Sequence, residues 1–511
     1  MLPGLPPNPW NRLPLRPFPL RNPCGLRSPI RTRYDMADFI LRRPLRLLLV
    51  AALLAVMPLK PARAIAGFFD SLTIDKERQL GEEFLLQVQQ VLPIIQDPFL
   101  TSYVNRVGQR LVAQLGPQPF KYRFFIVNDP NMNAFAVPGG YVFITSGMIR
   151  RMDREGELAG VLAHEISHVY ARHIAKQMEK AKIANITSLV GVLAGLFLGI
   201  PGLTEGLVVG SAALGASSML KYSRDFEREA DSLGFKWMVK AGYDPRDMLG
   251  IFKKMSKQRW FEGPEIPVYL STHPEINERL VDLSHQLSIY QDKLPPGGQN
   301  SPNFPYFSMK MEAVCGNPHQ LLRRVNQDLA RDPKNAAAAY GRALAQARLE
   351  MGDEAIASFQ QALKLAPNNA LIQRDLGIFY FSHNRYLEAE KILEQLSRAN
   401  PQDDVILYYL GRIYQERRQN DKALPLFEKV HNLNPAFSDV YYNLGTLYGE
   451  KGQLGLAHYY LGFHSLKVKD YPTALFHFRK ALQNLSAADP RKAEMQRQVA
   501  RLEKLRVRVR N

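Results

Sequence analysis

Hydrophobic and polar residues follow two different periods in the N-terminal half of the chain. Residues 75–116 carry apolar side chains at helical spacing, with a break near Pro98. The period then changes to alternation over residues 122–127, and a second strand pattern covers residues 141–145. Pro138 and the two glycines after it favour a hairpin bend and an edge strand at this place. The pattern predicts an α+β domain in which helices surround a small sheet.

The C-terminal third of the chain repeats with a fixed period. Four prolines each lie 34 residues apart: Pro333, Pro367, Pro401 and Pro435. Small and aromatic packing residues recur with them, such as the Leu-Gly pairs that begin at Leu376, Leu410 and Leu444. This period is typical of tetratricopeptide repeats, in which helix pairs stack into a superhelix. We therefore predict an all-α superhelix whose concave groove serves protein recognition.

A helical stretch at residues 160–173 contains the motif His164-Glu165-x-x-His168. Histidines four residues apart lie on one helix face, so both imidazoles can bind one zinc ion. Glu165 lies one step round the helix, where it can take a proton from zinc-bound water. Three fixed residues also arise by chance, so this motif is only moderately specific for a metalloprotease.

A second helical stretch, residues 223–234, offers a third metal ligand in Glu227. Asp231, one turn further on, can accept a hydrogen bond from the outer N–H of a ligating histidine and so fix its orientation. Acidic residues at this spacing usually form a solvated helix face, but the pairing with the histidine motif favours a metal site. The fourth coordination position would then be left for water.

Geometry argues against two competing ligands. His173 follows His168 by five residues, which places it about 140° further round the helix and away from the metal. Glu229 is two residues from Glu227 and so lies on the opposite flank, where we expect it to be solvated.

Together the two motifs resemble those of the M48 (Ste24-like) zinc metallopeptidases and their gluzincin relatives. The segment from Ser271 to Arg279, with the pattern S-T-H-P-x-x-x-x-R, resembles a segment that follows the metal helices in that family. The resemblance implies one Zn²⁺ per chain, with these functional residues: His164, His168 and Glu227 as ligands and Glu165 as catalytic base. It also implies that the strand beside the metal helix pairs with extended substrate.

His273 has two possible roles, and both remain open at this stage. In related proteins a histidine at this place can occupy the fourth metal position and close the site. Alternatively, a protonated His273 near the zinc could stabilise the oxyanion of the tetrahedral intermediate, which is a catalytic role.

The N-terminal segment predicts secretion. Residues 1–35 have no periodicity and are interpreted as a mis-assigned extension, whereas residues 36–66 have the basic, apolar and small-residue regions of a signal peptide. An uncleaved anchor is the alternative, although the apolar core is shorter than the ~20 residues that a membrane span needs. Residues 1–66 hold eleven Arg and Lys against two Asp, so their removal lowers the formal charge from +18 to +9. We therefore expect no nucleic-acid partner.

Residues 183–220 contain one charged residue, Glu205, and glycines recur at every fourth position in two arms separated by Pro201. This pattern predicts a close-packed helical hairpin. We expect the hairpin to make peripheral contact with a membrane, and an ordinary buried hairpin is the alternative.

These observations predict the following organisation: peptidase domain 67–290, linker 291–318, tetratricopeptide domain 319–487 and basic tail 488–511. The arrangement resembles a periplasmic M48 subgroup of Gram-negative bacteria. The resemblance implies an endopeptidase that degrades misfolded or misassembled envelope proteins in outer-membrane quality control, with repeats that recruit substrate or assembly machinery. The alternative is a periplasmic chaperone or scaffold that acts through the groove and keeps a vestigial zinc site. The intact Glu165 favours the enzyme, because a structural zinc site needs no base and usually has four protein ligands.

Overall fold

The computed structural model describes residues 73–181, 222–261, 268–290, 301–435 and 437–510. The predicted extension, signal peptide and hydrophobic hairpin lie outside these residues. No helix in the described ranges is long and apolar enough to cross a membrane. Contacts divide the chain into two compact units, an N-terminal unit that ends at Arg331 and a repeat unit that begins at Asp332.

The N-terminal unit is mostly helical, as the sequence predicts. Its elements in chain order are α1 Ile74–Val91, α2 Pro98–Val112, β1 Arg123–Val127, β2 Ala134–Val137, β3 Tyr141–Thr145, α3 Ser146–Ile149, α4 Glu155–Tyr170, α5 His173–Ala181, α6 Arg224–Lys240, α7 Arg246–Phe261, α8 Val268–Thr272, α9 Ile276–Tyr290, α10 Phe304–Cys315 and α11 Pro318–Arg331. The break between α1 and α2 has a local cause. Asp97 caps α2 by accepting a hydrogen bond from the backbone N–H of Leu100 (3.0 Å), and Pro98 occupies the first turn.

The sheet has three strands in the order β1-β3-β2, with β1 parallel and β2 antiparallel to β3. The prediction of an edge strand at 141–145 is therefore wrong, because β3 is central and the edge strands are β1 and β2. Pro138 lies in the turn between the two strands and so interrupts neither ladder. Gly139 and Gly140 adopt φ values of 86° and 92°, which residues with a side chain rarely adopt.

Helix α4 lies at the centre of the N-terminal unit and positions the predicted site. Every residue from Glu155 to Val169 is buried. Close approach of the neighbouring helices requires glycine at two points: a Cβ on Gly160 would lie 2.9 Å from the Cα of Met248, and one on Gly234 would lie 3.3 Å from the backbone of Ala163. Helices α6 and α7 can therefore pack directly against α4, which brings distant parts of the chain to the histidine motif.

The predicted linker, residues 291–318, differs from the structure because it contains helix α10. Phe304, Phe307 and Met311 are buried in the main core, and the ring of Phe307 stacks on Tyr103 with centroids 4.2 Å apart. The proline-rich composition of residues 294–305 obscured this helical spacing. Contacts group helix α11 with the N-terminal unit, and the start of the repeat domain at residue 319 stays a prediction.

The repeat unit is entirely helical within its described residues. Its elements are α12 Ala336–Arg348, α13 Gly352–Leu365, α14 Ala370–Ser382, α15 Tyr386–Ala399, α16 Asp404–Glu416, α17 Asn420–Leu433, α18 Ser438–Glu450, α19 Leu454–Lys467, α20 Tyr471–Asn484 and α21 Arg491–Arg510. The recurrent Leu-Gly pairs have a packing function. A Cβ on Gly377 would lie 2.8 Å from Leu393, and one on Gly411 would lie 2.8 Å from Phe427. The predicted all-α repeat architecture is confirmed.

Candidate active site

Helix α4 places the two histidines of the motif side by side. His164 and His168 are 0% and 1% exposed, and their Nε2 atoms lie 3.0 Å apart. Glu165 is also fully buried on the same helix. Two imidazole nitrogens at this separation can bind one metal ion.

Helix α6 brings two carboxylates to the histidines. Its first turn is fixed by Ser223, whose hydroxyl accepts a hydrogen bond from the backbone N–H of Phe226. Glu227 lies one turn inside the helix, with its Oε1 3.5 Å from His168 Nε2 and its Oε2 3.6 Å from His164 Nε2. Asp231 Oδ1 lies 2.8 Å from His164 Nδ1, the outer nitrogen of that ring.

His273 joins this group from the end of α8. Its Nδ1 lies 3.2 Å from His164 Nε2 and 2.9 Å from Glu227 Oε1. One donor atom from each of four buried residues lies within 4.8 Å of the others: His164, His168, Glu227 and His273. The structure thus places His273 where the fourth-ligand hypothesis requires it.

The four donor atoms fit a zinc ion. Tetrahedral zinc with ligand bonds of ~2.0–2.1 Å needs donor atoms about 3.3 Å apart. The separations given above lie between 2.9 and 3.6 Å, counting both oxygens of Glu227, and the whole group lies within 4.8 Å. Three imidazole nitrogens and one carboxylate oxygen also match the ligands that zinc prefers.

The protonation states favour metal binding. Burial lowers the pKa of His164 to about 4 and that of His168 well below its usual value, so both rings are neutral at pH 7. Burial opposes ionisation of Asp231, but the Arg279 guanidinium outweighs it and lowers the pKa of Asp231 to about 2. Arg279 and His273 likewise overcome burial and hold the pKa of Glu227 below its usual value. Neutral imidazoles and ionised carboxylates are the forms that bind metals.

Glu165 has the properties of a general base. Its two carboxylate oxygens make no hydrogen bond of ordinary geometry to the described residues, and its Oε1 lies 3.6 Å from His273 Nε2. Burial raises the pKa of Glu165 to about 7, although His273 and the backbone of Ala136 act in the opposite direction. A carboxylate with a pKa near neutrality can both accept and return a proton at physiological pH.

The two rejected ligands lie outside the four-residue group. His173 is buried, and its Nδ1 lies 2.9 Å from the outer nitrogen of His168. The other ring nitrogen of His173 lies 3.1 Å from Glu229, whose side chain is 47% exposed. His173 therefore points away from the four donor atoms but contacts His168 on the side of the ring opposite to them. This contact carries no signal in the sequence.

Three further residues surround the group without having been assigned a role from the sequence. Arg279 is 2% exposed and pairs with both Asp231 and Glu227. The ring of Tyr222 stacks on His168 with centroids 3.7 Å apart, and the ring of Tyr269 stacks on His273 at 4.4 Å. Arg279 is visible in the sequence as part of the S-T-H-P segment. The tyrosines carry no sequence signal, because their stacking depends on tertiary packing.

Comparisons with known proteins agree with this geometry. Residues 98–287 match the family described as Peptidase family M48. Residues 322–370 and 350–413 match two families described as tetratricopeptide repeat. The buried histidine motif and the matched family together define the N-terminal unit as a metallopeptidase.

Individual relatives support the same assignment. Proteins named beta-barrel assembly-enhancing protease share 32% identity with this chain: the one from Yersinia pestis over 58% of this chain and 62% of its own length, and the one from Escherichia coli strain K12 over 64% and 70%. A mitochondrial metalloendopeptidase OMA1 from Schizosaccharomyces pombe is 30% identical over 44% of this chain and 65% of its own length. The chain thus spans less than two thirds of the Yersinia protein. The chain belongs to peptidase family M48.

Proposed function

We propose that the chain is a zinc-dependent endopeptidase that degrades misfolded or misassembled envelope proteins in the bacterial periplasm. The observation that carries this proposal is the position of Glu165, a buried carboxylate beside a group of donor atoms suited to zinc. The names of the bacterial relatives support a connection with the assembly of β-barrel proteins. The repeats would recruit substrates or outer-membrane assembly machinery, since stacked helix pairs present a groove for protein binding.

In this proposal His164, His168 and Glu227 hold the metal. Bound zinc would polarise the scissile carbonyl and make water a better nucleophile. Glu165 would take a proton from the attacking water and pass it to the leaving amine. Strand β2 lies at one edge of the sheet and packs beside α4, so we expect an extended substrate to pair with this strand.

The position of His273 bears on how the site would operate. A resting site with four protein ligands would exclude the attacking water, and His273 would have to move before cleavage. Substitution His273→Ala should then raise basal cleavage. If His273 instead stabilises the oxyanion, the same substitution should lower cleavage while zinc is retained. An unchanged rate and an unchanged zinc affinity would remove His273 from both roles.

A second candidate function is favoured by the same four donor atoms. Structural zinc sites usually have four protein ligands, so the chain could be a periplasmic scaffold or chaperone that acts through its repeats. This candidate does not explain why Glu165 is buried beside the group with no hydrogen-bond partner of ordinary geometry among the described residues.

The experiment that separates the two candidates is degradation of an unfolded test protein, such as casein, by the purified chain. The peptidase should cleave it, lose cleavage when zinc is removed with a chelator and regain cleavage when zinc is restored. Absence of cleavage with zinc bound, or cleavage that resists the chelator, would contradict the proposal. Protection of the test protein from aggregation without cleavage would support the scaffold.

A further inference from the structure

Arg279 on α9 is among the largest fully buried side chains of the described residues, and it contacts both site carboxylates. Its Nε and Nη2 atoms donate to Asp231 Oδ2 and Oδ1 over 2.7 and 2.8 Å, which is a bidentate pair. Its remaining nitrogen, Nη1, lies 2.7 Å from Glu227 Oε2. One guanidinium therefore spans the two acidic residues of α6.

The bidentate pair fixes the orientation of Asp231. With both carboxylate oxygens bound to one planar guanidinium, the plane of the carboxylate cannot rotate freely. Its Oδ1 is also the partner of His164 Nδ1, at 2.8 Å. Because an ionised carboxylate only accepts hydrogen bonds, it holds the proton of His164 on Nδ1. The lone pair of His164 Nε2 then faces the other donor atoms.

The contact with Glu227 selects between its two oxygens. Oε2 lies against Arg279, whereas Oε1 lies 2.9 Å from His273 Nδ1 and 3.5 Å from His168 Nε2. The guanidinium thus lies against Oε2, which is also 3.6 Å from His164 Nε2, while Oε1 is the oxygen that faces His273 and His168. Phe252 fixes the guanidinium in turn, since its ring centroid lies 4.4 Å from the Arg279 Cζ atom.

We propose that Arg279 is a positioning residue of the zinc site, which orients Glu227 directly and His164 through Asp231 before any metal binds. This inference rests on the proposed function, because it assumes that these residues bind zinc. It goes further by assigning the preorganisation of two ligands to one residue outside the ligand set. The positive charge of Arg279 offsets the charges of the two carboxylates, but its planar set of nitrogen donors fixes the orientation of Asp231 and Glu227.

The test compares zinc affinity in Arg279→Lys, Arg279→Met and the wild-type chain, by competition with a chromophoric chelator. Lysine keeps the charge but cannot make the bidentate contact. Both variants should therefore bind zinc about 10- to 100-fold more weakly, the loss usual for residues that orient metal ligands. The visible absorption of bound Co²⁺ should also change, because it reports ligand geometry.

Arg150→Met is the matched control. Arg150 also makes a bidentate pair with a carboxylate in the N-terminal unit, to Glu312 over 2.6 and 2.8 Å, but it contacts none of the site residues described above. This variant should lose thermal stability and keep wild-type zinc affinity. If Arg279→Met does not fold, Arg279→Lys decides the question alone.

Wild-type zinc affinity and an unchanged Co²⁺ spectrum in Arg279→Lys would overturn the inference and reduce Arg279 to a source of charge. Wild-type zinc affinity in Arg279→Lys together with weakened affinity in Arg279→Met would show that only the positive charge matters, and it would also overturn the inference. Zinc affinity and the Co²⁺ spectrum do not depend on cleavage, so failure of this inference can be distinguished from failure of the proposed function. A wild-type chain that binds zinc but cleaves nothing would refute the peptidase and leave the Arg279 result valid.

Discussion

The metal-binding group and the repeat unit are built from contacts of very different range. His164 contacts Asp231, 67 residues away, and His273, 109 residues away. In the repeats, the glycines of α14, α16 and α18 each pack against a residue sixteen positions later, as Gly411 does against Phe427. The site therefore depends on the packing of the whole N-terminal unit, whereas each repeat depends mainly on itself and its neighbours.

This difference predicts how each region responds to substitutions of its buried residues. In the site, buried charges compensate one another, so removal of one partner leaves another without compensation. In the repeats, buried groups are mostly apolar, and removal of one leaves a cavity whose cost stays within adjacent helices. The predictions that follow test this difference in order of expected effect.

The largest effect is expected for Glu227→Ala. If Glu227 is a ligand, as proposed, its loss should weaken zinc binding by more than about 100-fold, beyond the range for residues that only orient ligands. Cleavage should fall to the level of the chelator-treated wild type. Glu229→Ala is the control, because that residue lies two positions away on the same helix and is half exposed. Equal zinc content in the two variants would contradict the ligand role of Glu227.

A substitution in the repeat core should have a large effect on stability and none on the metal. Phe427 is fully buried, so Phe427→Ala should lower the free energy of unfolding of the repeat unit by about 3–5 kcal/mol. Urea unfolding followed by circular dichroism measures this change, and metal analysis should find unchanged zinc. Phe476→Ala, at a position that is 53% exposed, is the control and should cost far less. Zinc loss in Phe427→Ala would break the contrast between the regions.

A smaller, pH-dependent effect is expected from Asp247 in the N-terminal unit. Burial raises the pKa of Asp247 to about 6, although Arg154 opposes this shift. The folded state therefore binds more protons than the unfolded state between about pH 4 and pH 6, and stability falls as the pH rises through that window. Asp247→Asn removes this cost, so its stability relative to wild type should increase by up to about 3 kcal/mol across the window.

The neighbouring Asp244 provides a control of opposite sign. Burial opposes its ionisation, but the hydrogen bonds from Arg246 prevail and lower the pKa of Asp244. Its contribution to stability is present above the ordinary aspartate range and is lost as the pH falls. Asp244→Asn should therefore lose stability relative to wild type at pH 7 and recover at low pH. Parallel curves for the two variants would contradict one of the two assignments, and the sign of the shared slope would show which.

The sequence predicted those features whose signal is periodic or local. The 34-residue period gave the helical repeats, and helix spacing placed His164 and His168 on one face. The motif on α6 gave Glu227 and Asp231, whose contact with the histidines requires only that two helices pack together. The pattern of residues 141–145 indicated a strand but not its place, because strand order depends on partners elsewhere in the chain.

Other features could not be read from the sequence because they depend on tertiary contacts. Arg279 has no local spacing that would show which carboxylates it meets. The stacking of Tyr222 on His168 depends on where the chain re-enters the unit. The prolines and glycines before helix α10 predict a linker at this place, yet Phe304 and Phe307 anchor the helix in the core.

The central claim is that Glu165 is the base of a zinc peptidase, and the substitution Glu165→Gln tests it most directly. Zinc content and cleavage of an unfolded protein should be measured on the same preparation as the wild type. Glutamine has the same shape but cannot accept the proton, so cleavage should fall by about 10²- to 10⁴-fold with zinc unchanged. Cleavage at the wild-type rate with full zinc content would contradict the account.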